Sequence, residues 1–231
     1  MPSRYARQIE LEKFGKIGQK RLKNAHILLV GAGGVASSAL ELLIAAGVGK
    51  ISIFDADKVS LGNLHRQTIF RERDIGKPKS KTARANLKNL NSKVEIEAYE
   101  QYFGRDKTSL KVLKQASVCI DASDSFKSRL TVSDLCKNFR IPEVLAAAQA
   151  YVSQVTILAG STYLDSIIKD DSARIEAARK LPIFPPSAHL SGVMAAGYAL
   201  KKIAAAECFD AGLFMSFDFE SLKFFELKLG K

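Results

Sequence analysis

The sequence predicts an α/β fold built on a doubly wound, mostly parallel sheet, and three observations predict it. Short apolar runs alternate with longer stretches of helical period, two of those runs end in aspartate, and a glycine-rich turn joins the first run to the first helix. With 231 residues and 47% hydrophobic content, the chain can bury one sizeable core. The expected organisation is one domain: an N-terminal helical arm over 1–25, a nucleotide-binding core over 26–160, a crossing loop over 161–188, and a C-terminal helix and hairpin over 189–231.

Residues 26–30 (HILLV) form a continuous apolar run, the mark of a strand buried on both faces, and residues 35–46 follow at helical length and spacing. Residues 50–55 (KISIFD) are a second buried strand, so strand, helix and strand fall within about 30 residues, which is a βαβ unit with its right-handed crossover. The alternation continues with helices expected over 79–90 and 106–115, strands near 94–98 and 117–121, and a helix over 125–138. Residues 144–158 (VLAAAQAYVSQVTIL) are apolar and β-rich, so the sheet is expected to end in mixed or antiparallel strands. In the segment 160–189, Pro182, Pro185 and Pro186 argue against regular helix, and it is read as a crossing loop with a short helix over 171–180. An amphipathic helix over 189–206 and a hairpin of 213–219 with 222–227 close the chain.

The N-terminus is charged throughout, without an apolar signal region, and no window approaches about 18 uninterrupted apolar residues, so a cytoplasmic protein with no membrane span is expected. Cys119, Cys136 and Cys208 lie far apart with no CxxC pair, which fits a reducing compartment and argues against a Cys₄ zinc site. The net charge of +11 predicts attraction to polyanions or acidic partners, but the cations are dispersed and no nucleic-acid-binding signature accompanies them. Nucleic acid is therefore not the expected main ligand.

Chemistry concentrates at the expected C-terminal ends of strands, where doubly wound sheets bind ligands. The run Gly31-Ala32-Gly33-Gly34 follows a strand and opens a helix, the setting in which a glycine turn presents backbone N–H groups to phosphate. Gly31 suits the tight turn and Gly33 the close approach of a ligand. Asp55 lies at the separation from which a carboxylate accepts hydrogen bonds from ribose hydroxyls. So far this describes any Rossmann-like nucleotide fold. Asp57, then Asn63, Arg66 and Gln67 in SLGNLHRQ, then Lys79 in GKPKSKTAR add a crowd of polar side chains that nicotinamide chemistry does not need. Nucleotidyl transfer does need them, because Arg and Lys neutralise charge on phosphate oxygens while a carboxylate holds a metal. Asp121 and Asp124, three apart in DASD and followed by Arg129, could both face the crevice. Asp124 is assigned to Mg²⁺, and Asp121 or Ser123 to capping the next helix. His26, His65 and His189 are read as non-catalytic.

Taken in order, RYARQ at 4–8, GAGGVA at 31–36, the strand ending in DAD, NLHRQ at 63–67, GKPK at 76–79 and DASD at 121–124 resemble the ThiF/MoeB/HesA family, bacterial relatives of ubiquitin-activating enzymes. The resemblance covers residues 4–160 well and the last long helix more loosely. It implies ATP- and Mg²⁺-dependent adenylation of the C-terminal carboxylate of a small ubiquitin-like sulfur carrier ending in Gly-Gly, of thiamin or molybdopterin type, by a homodimer. On matching motifs, Asp55 would hold the ribose, Asn63, Arg66 and Lys79 the triphosphate, and Asp124 the metal. Arg7 would reach into the neighbouring subunit's site. The chain departs from the family in lacking the two zinc-binding CxxC pairs and any cysteine in the loop before the last long helix, so neither structural zinc nor a covalent cysteine step is expected. Ala36 replaces a third glycine, and Ser125 stands where relatives usually have Asn. Three other readings remain: an NAD-dependent oxidoreductase, a non-catalytic carrier-binding subunit, and a family member activating a carboxylate on modified tRNA.

Overall fold

The computed structural model describes residues 4–167, 182–205 and 211–229. Eight strands form one sheet in the order β3-β2-β1-β4-β5-β6-β7-β8. They are β1 (His26–Val30), β2 (Lys50–Phe54), β3 (Glu95–Tyr99), β4 (Val118–Asp121), β5 (Glu143–Gln149), β6 (Val152–Leu158), β7 (Leu213–Asp218) and β8 (Lys223–Lys228). The first five are mutually parallel, and β6, β7 and β8 each run antiparallel to their predecessor. The apolar run 144–158 is thus a hairpin, broken at Ala150, whose φ of 48 turns the chain between β5 and β6. The expected parallel core with antiparallel C-terminal strands is what the chain forms.

Eight helices belong to the described residues: α1 (Ala6–Ile9), α2 (Gly15–Asn24), α3 (Gly34–Ala46), α4 (Lys79–Leu87), α5 (Lys107–Gln115), α6 (Phe126–Phe139), α7 (Leu164–Ile167) and α8 (Pro185–Ala204). Both faces of the sheet are covered, which is why β1 reads as an unbroken apolar run. Ile27, Leu29, Ile51, Ile53 and Val118 pack with residues of α2, α3, α4 and α8 on one face. Leu28, Val30, Phe54 and Cys119 pack with α5 and α6 on the other. No helix among the described residues is long and apolar enough to cross a membrane.

Two expectations about helix ends are corrected. The last long helix begins at Pro185, with Pro185 and Pro186 in its first turn, four residues before the expected start. First-turn N–H groups have no intrahelical acceptor, so proline costs no hydrogen bond there, and its fixed φ suits the helix. The helix expected over 79–90 ends at Leu87. The helix expected over 171–180 and Cys208 lie outside the described residues.

The packing of α8 bears directly on the site. Gly192 meets α3 so closely that a Cβ there would overlap the Val35 carbonyl oxygen and Ser38 Oγ. Ser38 Oγ donates to the His189 carbonyl at 2.8 Å and Ser191 Oγ to that of Ala147 at 2.7 Å, tying α8 to α3 and to β5. The two helices and the end of β5 therefore form one packed wall.

Candidate active site

In a doubly wound sheet the crevice opens where strand order reverses, here between β1 and β4. A cavity of about 930 Å³, open solvent at its mouth included, lies at those strand ends. Its floor is the glycine turn. Gly31 has φ 91, and a Cβ there would stand 2.7 Å from the Ala122 carbonyl oxygen, so only glycine fits. At Gly33 the nearest atom a Cβ would meet among the described residues, its two chain neighbours aside, is Gln67 Nε2 at 3.7 Å, which leaves the space above that backbone for a ligand. A Cβ at Gly34 would press on Arg66 and Ala188, so this glycine serves close packing. The turn leads into α3, whose first backbone N–H groups and macrodipole favour an anion.

Asp55, at the end of β2, lines the cavity and accepts from the Ala32 N–H at 2.6 Å and the Asp57 N–H at 2.8 Å. Burial pushes its carboxyl above the ordinary range, against the Lys79 charge and the two amides. Lys79, the first residue of α4, is buried and donates through Nζ to Asp57 Oδ2 at 2.9 Å, while its backbone N–H bonds to the Asp57 carbonyl. Because Asp57 is half exposed, the ion pair is worth about 1 kcal/mol at most, and its main effect is to aim the ammonium into the crevice.

Arg66 also lines the cavity, its guanidinium against the Gly62 carbonyl and the His65 ring. Gln67 is buried, and its Oε1 has no hydrogen-bond partner among the described residues. Asp124 is exposed at the wall, and beside it Arg129 donates through Nε and Nη2 to the Ser123 carbonyl at 3.2 and 2.9 Å. Ser123 Oγ is a second buried polar atom without a partner among the described residues. Three cations and an open glycine floor around one cavity are what a polyphosphate ligand needs.

The structure thus brings Gly31, Gly33, Gly34, Asp55, Asp57, Arg66, Gln67, Lys79 and Asp124 to one cavity. Asn63 is not among its lining residues: its N–H bonds to the Ser60 carbonyl and its own carbonyl accepts from Arg66 and Gln67, so it shapes the turn that carries those two. Arg7 is fully exposed and pairs with Glu10 on α1, which hydrogen-bonds through Gln8 to Ala46, at the end of α3 remote from the glycine turn. That helix is about 20 Å long, so Arg7 does not reach the cavity of its own chain.

Two sequence assignments are corrected. Asp121 does not face the crevice with Asp124, because as the last residue of β4 its side chain is wholly buried and accepts from the Ser123 N–H at 2.9 Å. Nor does Asp121 or Ser123 cap α6, since Ser125 does, accepting from the Ser128 N–H at 3.1 Å. Cys119 and Cys136 are buried thiols held above the ordinary range, Cys119 by burial and Cys136 by its contact with Cys119 and then by burial, and both are unsuited to attack. Among the described residues, no group of three His, Cys, Asp or Glu side chains could hold a metal. An exposed single carboxylate such as Asp124 instead suits a hard cation that shares its shell with substrate phosphates and water.

Sequence reasoning missed Tyr102 and Phe103, which follow β3 and line the cavity, and the small wall of Ala146, Ala147, Ala148, Ile183 and Ala188. Tyr102 is exposed, and its hydroxyl donates to Asp57 Oδ1 at 3.4 Å. The Asp57 charge, with lesser contributions from burial, Asp55 and Asp124, raises its phenol above the ordinary value. The available signal was positional: Tyr102 follows a strand on the same edge as Asp55.

A model of the ThiF family matches residues 5–231. The sulfur carrier protein adenylyltransferase of Thermus thermophilus is 38% identical over 154 residues, which are 67% of this chain and 56% of that protein. Adenylyltransferase and sulfurtransferase MOCS3 of Arabidopsis thaliana is 40% identical over 154 residues, 67% of this chain and 33% of that one. The SAMP-activating enzyme E1 of Haloferax volcanii is 36% identical over 156 residues, 67% of this chain and 57% of its own length. The chain thus spans between a third and somewhat over half of these relatives. Among solved structures, E. coli MccB with ATP superposes with a TM-score of 0.86 at 21% identity, covering all of this chain and 72% of that one, a likeness of fold.

Proposed function

The chain belongs to the ThiF family, and from that premise we propose that it is an ATP-dependent adenylyltransferase acting on the C-terminal carboxylate of a small ubiquitin-like sulfur carrier ending in Gly-Gly, of thiamin or molybdopterin type. The observation that carries this reading is one cavity in which an open glycine floor, Asp55, three cations and Asp124 converge. The names of the related proteins support the reaction class.

The residues have distinct tasks in this reading. The glycine turn and the first N–H groups of α3 receive the nucleotide's phosphates, and Asp55 accepts from the ribose hydroxyls. Lys79, Arg66 and Arg129 neutralise charge on the phosphate oxygens. Mg²⁺ held by Asp124 and the substrate phosphates would supply further neutralisation of that charge. The donor's terminal glycines lie along Ala146–Ala148, where no long side chain obstructs a narrow tail. One carboxylate oxygen forms a bond to the α-phosphorus, the bond from that phosphorus to the bridging oxygen breaks, and pyrophosphate leaves with the electron pair. The nucleophile is already ionised, so positioning and charge neutralisation suffice and no protein base is required.

A cytoplasmic homodimer in which Arg7 completes the neighbouring subunit's site belongs to the same proposal, supported by Arg7's exposure at the far end of α3. ATP–pyrophosphate exchange with Mg²⁺ tests the reading: it should depend on a carrier ending in Gly-Gly. Exchange supported by modified tRNA instead, which the charge of +11 would suit, would replace the carrier with a nucleic-acid substrate. ATP binding without exchange on any acyl donor would leave a binding subunit.

A further inference from the structure

Glu143, the first residue of β5, is wholly buried, and neither of its carboxyl oxygens has a hydrogen-bond partner among the described residues. Asp121 Oδ2 is in the same position. The two strands pair in parallel with Cys119 opposite Glu143 and Asp121 opposite Leu145, so Cys119, Asp121 and Glu143 share a sheet face. Asp121 and Glu143 are diagonal neighbours, with Cα atoms on the order of 8 Å apart, a gap that a glutamate side chain spans. Two acids side by side in a dry core, with three of their four oxygens unpartnered among the described residues, cannot both carry charge, whereas a proton held between them satisfies Asp121 Oδ2 and one Glu143 oxygen.

We propose that Glu143 is a positioning residue: as the neutral acid it donates to Asp121 Oδ2, and through Asp121 it fixes the turn that carries Ser123, Asp124 and Arg129 at the cavity wall. The linkage beyond Asp121 is on the molecule. Asp121 Oδ1 accepts the Ser123 N–H at 2.9 Å, and the Ser123 carbonyl accepts twice from Arg129. The groups facing Glu143 are Asp121 and Cys119 from β4, Arg129, Ser133 and Cys136 from α6, and Tyr163 beyond β6. Arg129 is the single charge among them able to balance one carboxylate, so the set is neutral with one proton shared by the pair. Burial, and then the Asp121 charge, push the Glu143 carboxyl far up, against weaker pulls from Ser133 and Arg129. Burial also raises Asp121, and burial first, with Cys136 and Glu143 beside it, pushes the Tyr163 phenol up to about 12. The dryness of the site favours the acid form.

The consequence for the cavity rests on the proposed nucleotide reading, but the proton itself does not, so the test has two parts. Infrared spectra of the full chain at neutral pH should show the C=O stretch of a buried protonated carboxyl, absent from Glu143→Gln; a spectrum without that band, or one that Glu143→Gln leaves intact, overturns the proposal whatever the protein's reaction. Equilibrium titration with Mg·ATP should then separate two variants. Glu143→Leu is compatible with the apolar surroundings but leaves Asp121 Oδ2 without the proposed donor, and should weaken binding by about tenfold or more. Glu143→Gln keeps a donor and should bind more tightly than Glu143→Leu, with less decline at alkaline pH than wild type. Equal affinity in wild type and Glu143→Leu overturns the positioning role. If wild type does not bind Mg·ATP, the nucleotide reading fails while the infrared result still decides the shared proton.

Discussion

Gly31 and Gly33 stand two residues apart in one turn, yet the structure gives them opposite sensitivities. Alanine at Gly31 must adopt φ 91 and place its Cβ 2.7 Å from the Ala122 carbonyl. Gly31→Ala should therefore lose about 2–3 kcal/mol of stability, read as an earlier denaturant midpoint. Alanine at Gly33 meets no atom nearer than 3.7 Å among the described residues beyond its chain neighbours, so Gly33→Ala should unfold at the wild-type temperature while binding Mg·ATP at least about tenfold more weakly, because the methyl fills the ligand's approach. A Gly33→Ala protein that binds normally would remove the phosphates from this turn. The same contrast explains how much of the site was legible. Asp55 announces itself at the end of its strand, and Lys79 and Asp124 do so through the polar motifs GKPK and DASD that follow strands β2 and β4. Ala146, Ala147 and Ala148 do not, because an alanine lining a cavity and one packed in a core look alike in sequence. Nothing in DASD distinguishes the carboxylate that enters the core from the one at the cavity: that depends on Asp121 being the last residue of β4 and Asp124 lying beyond the turn.

Among the elements, α8 and α3 show where propensity and packing disagree. Gly192 lies within α8, where helix propensity alone favours alanine by about 1 kcal/mol. The added Cβ would overlap Val35 and Ser38 of α3, and such overpacking costs about 1–3 kcal/mol or more. Packing should win: Gly192→Ala is expected to lower the melting temperature by several degrees, and a rise would show that the helices separate freely. Because Ala188 on α8 and Ala147 on β5 belong to the same wall, the variant should also weaken Mg·ATP binding. The strands and helices of the parallel core were legible because periodicity and length agree there. The start of α8 was not, since prolines that break a helix interior are tolerated in its first turn, and only the geometry of Ile183 and Phe184, which bridge to Ala150, shows that the helix begins at Pro185.

At the scale of the whole molecule, the proposed dimer accounts for an arginine that its own chain does not use. Arg7 sits on α1, anchored through Gln8 to Ala46 at the far end of α3, and its side chain is 95% exposed, with Glu10 its one ion-pair partner among the described residues. An exposed i,i+3 pair of this kind contributes at most a few tenths of a kcal/mol, so Arg7→Ala should leave stability unchanged. If Arg7 instead completes a neighbour's site, Arg7→Ala should abolish pyrophosphate exchange, as Asp124→Ala should by removing the carboxylate at the cavity. Mixing the two inactive proteins then becomes decisive. Random reassociation makes about half the dimers mixed, and each mixed dimer holds one site with both residues intact and one with neither, so exchange should recover to about a quarter of the wild-type rate. Recovery that tracks subunit exchange places Arg7 across the interface. An inactive mixture of demonstrably mixed dimers would confine Arg7 to its own chain, and a fully active Arg7→Ala would remove it from the chemistry.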